Sequence, residues 1–130
     1  MKTIKEYLDS LDLDASIKLH TTLYLDEING FCNKNKNKLN ELPSAGQLEY
    51  MKLINQPEDL IEYIIHQSEK STNKKWRTKV KHKDREVMFY EFLIDRIFNI
   101  DDNKKDSEKL KLMIKYFIEY LIDYIKMSRR

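Results

Sequence analysis

Apolar residues recur along most of this chain at the three- and four-residue spacing of a helix, with polar residues between them placed as helix start and stop signals. Thr3 followed by Glu6 forms a capping-box pattern, and Ile4, Leu8 and Leu11 then share one face, which predicts a short helix over 3–11. From Asp14 onward Ile17, Tyr24, Ile28 and Phe31 recur at helical spacing, with Leu25 and Cys32 beside them, until the polar run 33–38 ends the pattern. A strand through Ile17, Leu19, Thr21, Leu23 and Leu25 is the competing reading. Leu42-Pro43 breaks the chain, and Ser44 with Gln47 forms a second capping box ahead of Leu48, Met51 and Ile54. Pro57 suits a first helical position and Glu58 and Asp59 suit the positive end of a helix dipole. Leu60, Ile61, Ile64 and Ile65 form a stripe behind them, which predicts a helix over 57–69. Residues 87–100 are apolar nearly all round, interrupted by Glu91, Asp95 and Arg96, so that helix should be buried. A polar turn at 101–106 precedes a last helix over about 107–127, with Lys126, Arg129 and Arg130 suited to its C-terminus.

On a helical wheel the last helix carries Lys111, Lys115, Glu119, Asp123 and Lys126 on one narrow strip. Leu110, Met113, Ile114, Phe117, Leu121, Tyr124 and Ile125 form a core face that Ile118 and Ile122 widen on one side and Tyr116 and Tyr120 on the other. That arc exceeds the ~100° stripe of a surface helix, so this helix is either central in the bundle or shared with a partner. The expectation is an antiparallel hairpin of the last two helices. Tyr116, Ile118, Tyr120 and Ile122 would then serve a homodimer or a protein partner.

Composition supports the helical reading. Two glycines and two prolines in 130 residues are too few for the turns of an all-β chain, and 35% charged against 41% hydrophobic residues suits a folded, well-solvated protein. The fold class predicted is all-α: a single domain over 1–130, a bundle of five to six helices with a basic connector before a C-terminal helical hairpin. The lone cysteine, Cys32, excludes an intramolecular disulfide and reads as a small core residue. The N-terminus is acidic and amphipathic, unlike a signal peptide, and charges interrupt both apolar stretches, so no membrane span and a cytoplasmic location are expected. Lys, Asn, Ile and Tyr make up 50 of the 130 residues, a bias that suggests a low-GC bacterium or a phage or plasmid of one.

Charge changes the picture at 70–85. Eight cations, Lys70, Lys74, Lys75, Arg77, Lys79, Lys81, Lys83 and Arg85, stand against the single anion Asp84, a net of +7 that leaves the rest of a +2 chain at −5. Such a cluster gains most from a polyanion, and nucleic acid is the first candidate. Lys74, Lys75, Arg77, Lys79, Lys81, Lys83 and Arg85 would hold phosphates while an exposed Trp76 stacked on a base, with Lys34, Lys36 and Lys38 as further contacts. The segment also alternates, Trp76, Thr78, Val80 and His82 opposite Arg77, Lys79, Lys81 and Lys83. It therefore also reads as an arm or as one strand of a hairpin with 87–92, which behind two short helices would look like a winged-helix DNA reader, although no Gly or Asn marks a turn. The alternative is a solvated linker anchored to the core by Trp76 and Val80.

Catalytic chemistry is hard to place. His20, His66 and His82 have no second His or Cys at metal-ligand spacing, the acidic turn lacks the glycine and terminal glutamate of a calcium loop, and no glycine-rich phosphate loop or nucleophile motif occurs. No catalytic residue, metal or cofactor is therefore assigned. Arg77-Thr78-Lys79-Val80-Lys81-His82 nevertheless resembles the Arg, four to six residues, His pattern of the HEPN ribonucleases. That resemblance implies RNA cleavage by Arg77 and His82 of two protomers, although Thr78 stands where the family carries Asn, Asp or His. The first expectation is a non-enzymatic, nucleic-acid-binding accessory or regulatory protein. The second is a small phage- or plasmid-encoded inhibitor of a host or defence protein, in an anti-CRISPR-like role, and the third a HEPN-like ribonuclease.

Overall fold

The computed structural model describes residues 24–70, 72, 74–101 and 107–129. Among these residues five α-helices and one two-stranded sheet follow in the order α1 (Leu25–Lys34), α2 (Ala45–Met51), α3 (Pro57–Glu69), β1 (Lys79–His82), β2 (Arg85–Met88), α4 (Phe89–Asp101) and α5 (Ser107–Ser128). Short 3-10 turns lie at Leu39–Glu41 and Lys74–Arg77. The helix expected over 3–11, the stretch from Asp14 to Leu23 and the turn at 102–106 lie outside the described residues.

Local sequence sets the helix boundaries. Ser44 is extended and its Oγ accepts a hydrogen bond from the Gln47 N–H at 3.4 Å, which starts α2 as expected. Pro57 opens α3, where its missing N–H costs nothing, and Glu58 and Asp59 occupy the first turn. α4 and α5 touch each other, and between them they touch every other described helix and strand: α5 packs on α1 and α2, and α4 on α3, both strands and the Lys74–Arg77 turn. No helix among the described residues is long and apolar enough to cross a membrane.

This central position accounts for the wide apolar arc of α5. Ile118 and Ile122 are completely buried and Tyr116 nearly so, while Tyr120 is half-buried against the core and stacks on Tyr116 with ring centroids 6.4 Å apart. The expected free interface of Tyr116, Ile118, Tyr120 and Ile122 is corrected. With helices on several sides, α5 uses these residues for the chain's own core. Cys32 is buried too, and burial pushes its thiol up to about 11 despite a hydrogen bond with Ser128.

The mostly helical architecture broadly fits the all-α expectation, with one addition: the basic connector runs through the Lys74–Arg77 turn into a small antiparallel β-hairpin. Lys79 pairs with Met88, Val80 with Val87, Lys81 with Glu86 and His82 with Arg85, so Lys83 and Asp84 alone make the turn. Lys83 has φ +57°, the left-handed conformation that normally favours glycine. Two strands of four residues would be marginal by themselves. Packing holds them. Trp76, fully buried at the foot of the hairpin, meets Tyr63 of α3 edge-on at 5.9 Å and Phe89 of α4 at 6.1 Å. Phe92 of α4 stacks on Phe31 of α1 at 4.2 Å and takes the His82 ring edge-on at 4.9 Å. On the open edge of β1 the buried Asn35 donates to the Lys81 carbonyl at 3.0 Å and accepts from the Lys81 N–H at 2.7 Å, standing in for a third strand. The Phe89 N–H donates to the Thr78 carbonyl at 2.8 Å, and the Thr78 hydroxyl to the Glu41 carbonyl at 2.8 Å.

Trp76→Ala should lower unfolding stability by about 3–5 kcal/mol in denaturant titration, because a buried indole leaves a cavity that several elements line. Lys83→Gly should be neutral or stabilising by up to about 1 kcal/mol, since it relieves the left-handed strain at some cost in unfolded-state entropy.

Candidate nucleic-acid interface

The alternation of β1 turns Val80 and His82 into the core and Lys79 and Lys81 to solvent. Lys83, Arg85, Lys74 and Lys75 are also exposed, and Arg77 is half-buried. Seven of the eight residues expected to bind nucleic acid therefore reach solvent along the hairpin and the turn at its foot. Trp76 does not, at 0% exposure, and its expected stacking on a base is corrected: a large apolar ring between two aromatic side chains gains more from burial than from an exposed face.

Among the described residues, Lys74, Lys75, Lys79, Lys81 and Arg85 make no ion pair, while Lys83 Nζ stands 4.0 Å from Asp95 Oδ2. Helix α1 adds a cation to them. Because Asn35 clamps the end of α1 to Lys81, its neighbour Lys34 converges with Lys81 and Lys83 on two adjoining grooves. One, of about 470 Å³, runs down to Phe31, His82, Phe92 and Arg96; the other, of about 460 Å³, is bordered by Asp84, Arg85 and Glu86. Lys36 is exposed nearby, whereas Lys38 pairs with Glu41 at 3.8 Å. Asn35 had no distinguishing mark in its run of alternating Asn and Lys, and its role depends on a strand edge opposite.

Two further expectations bear on these elements. His82 is 8% exposed, with Nε2 2.8 Å from Asp95 Oδ2, so the ring proposed for RNA cleavage packs as a wall of the hairpin. Helix α3 precedes the hairpin as a reading helix would precede a wing, but its exposed residues include Glu58, Asp59, Glu62 and Glu69. A face of that charge opposes entry into a groove lined by phosphates. Among the described residues no three His, Cys, Asp or Glu side chains converge on a common point. No protein-family model, curated protein or solved structure matches the chain, so the surface is read from its own chemistry.

Beneath the basic face, Asp95 ties hairpin to helix: Asn99 Nδ2 donates to its Oδ1 at 3.1 Å, and His82 holds the other oxygen. Burial pushes the Asp95 carboxyl up, but the His82 hydrogen bond, the charges of Lys83 and His82 and the Asn99 hydrogen bond together hold it below its ordinary value. A depressed folded pKa stabilises the fold above the unfolded value of about 3.9, and that stabilisation is lost as pH falls through the folded value. Asp95→Asn should therefore flatten the loss of stability between about pH 5 and pH 3, measured as Tm against pH.

Proposed function

We propose that this protein binds nucleic acid through the solvent face of the hairpin, with the end of α1 as a second contact. The observation that carries the reading is the set of exposed, unpaired cations, Lys74, Lys75, Lys79, Lys81 and Arg85, on a hairpin pinned from beneath. Unpaired surface charge is normally dispersed, because clustering raises self-repulsion; here a phosphate backbone would offset it and release its counterions on binding. With Trp76 inside and α3 acidic, the contact is electrostatic and sequence-independent, directed at phosphates more than at base edges. A non-enzymatic accessory or regulatory role fits a surface of this kind.

Affinity for a short duplex should fall with salt at a log–log slope of roughly −3.6 to −5.4, the value for four to six neutralised phosphates. Lys81→Glu should weaken binding several-fold and reduce the slope, and Lys79, Lys81 and Lys83 all changed to Glu should abolish it at physiological salt. Lys115→Glu, the same charge change on the exposed strip of α5, should have little effect. Salt-independent binding, or equal losses for Lys115→Glu and Lys81→Glu, would refute the reading.

A further inference from the structure

The pole opposite the hairpin in charge has its own surface. After α2 the chain turns sharply into α3, and the turn is fixed by backbone bonds from Leu53 N–H to Tyr50 O at 3.0 Å and from Ile54 N–H to Met51 O at 3.3 Å. This fixed turn holds Leu53 73% exposed and Tyr50 51% exposed. Tyr50 lies 4.9 Å from the Tyr63 ring, whose hydroxyl donates to the Gln47 carbonyl at 3.4 Å. Leu53, Ile54 and the two tyrosines line an open cleft of about 770 Å³. Along α3 it adjoins a second groove through Glu62 and His66, where Ile61 and Ile65 continue the apolar surface and Ile65 is 40% exposed.

The rim is acidic. Asp59 and Glu62 border the cleft, and Glu58 and Glu69 border the groove beside it. None of these carboxylates is in an ion pair among the described residues, whereas Glu27 holds Arg96, Glu49 holds Lys52 and Asp95 has Lys83 at 4.0 Å. No lysine or arginine among the described residues lines either depression.

We infer that this cleft is a docking site for a basic amphipathic segment of another protein, one that covers Leu53 and Tyr50 with aliphatic side chains and places lysine or arginine against Asp59 and Glu62. Charge complementarity selects the occupant. Nucleic acid is repelled by the rim. Among the described residues a second copy of this chain is a poor fit, because the exposed basic stretch there is the hairpin, whose apolar residues Trp76 and Val80 are turned inward and Val87 and Met88 half-buried. Apolar burial would supply the attraction and the carboxylates the selectivity, as in other helix-in-groove complexes.

The test is fluorescence anisotropy with a labelled synthetic peptide of leucine and lysine at amphipathic-helix spacing, beside one peptide with glutamate for every lysine and one with serine for every leucine. Saturable binding is expected for the first peptide alone. Leu53→Ser and Glu62→Lys, both at exposed positions and checked for folding by circular dichroism, should each weaken it at least tenfold. Changing Lys79, Lys81 and Lys83 to Glu should leave it unaltered, so the cleft and the hairpin succeed or fail separately. Equal binding of the serine peptide, or unchanged affinity in both variants, would overturn the inference. So would sedimentation of the protein alone as a dimer that Leu53→Ser disperses, since the occupant would then be a second copy.

Discussion

The aromatic junction around Phe89 and Phe92 is the constraint on which the rest of the arrangement depends. Rings from α1, α3, α4 and the Lys74–Arg77 turn meet there, with Phe31 stacked on Phe92 and Trp76 set between Tyr63 and Phe89. Without it the hairpin is two short strands with a strained turn, carrying more positive charge than negative. With it, the hairpin becomes part of the helical body, and its lysines are held at one edge of the core. Asn35 completes the attachment from the other side by pairing with Lys81.

That attachment also segregates charge. Across the helical faces opposite charges are matched: Arg96 meets Glu27 at 2.7 Å between α4 and α1, its guanidinium 5.5 Å from the Phe117 ring, and Lys52 bridges Glu49 and Asp123 between α2 and α5. Such surface pairs add little stability, so their value lies in showing which charges the fold uses internally. The hairpin cations and the α3 carboxylates are left over, one pole positive and one negative.

Much of the helical framework was legible because its signals are local. Pro57 with Glu58 and Asp59, and Ser44 with Gln47, mark helix starts without help from distant residues, and α3 occupies the predicted span of 57–69. The hairpin was visible as alternation through Val80 and His82, but its turn was not, because Lys83 takes a left-handed conformation that its residue type disfavours and tertiary packing imposes. The same dependence on packing hid Trp76 and Asn35, whose roles need partners tens of residues away. The apolar arc of α5 was read correctly as excess for a surface helix, but periodicity measures how much of a helix is covered without saying by what, so a central place in the bundle and a shared surface both stayed open until the packing decided for the first. The surplus of cations at 70–85 followed from composition; that most of them lack a carboxylate partner did not, nor did the Leu53 cleft, because no single residue in 50–66 marks it.

We propose that nucleic acid binds the hairpin face and the end of α1 while the aromatic junction stays closed beneath them. Titrating the isotopically labelled protein with a short duplex at low salt and following amide and indole resonances tests this directly. Progressive shifts should be confined to residues 74–85 and 34–36, with the Trp76 indole N–H still slow to exchange with solvent. Shifts spread over the α2–α3 cleft, a Trp76 indole opened to solvent on binding, or no shifts at the hairpin would contradict the account.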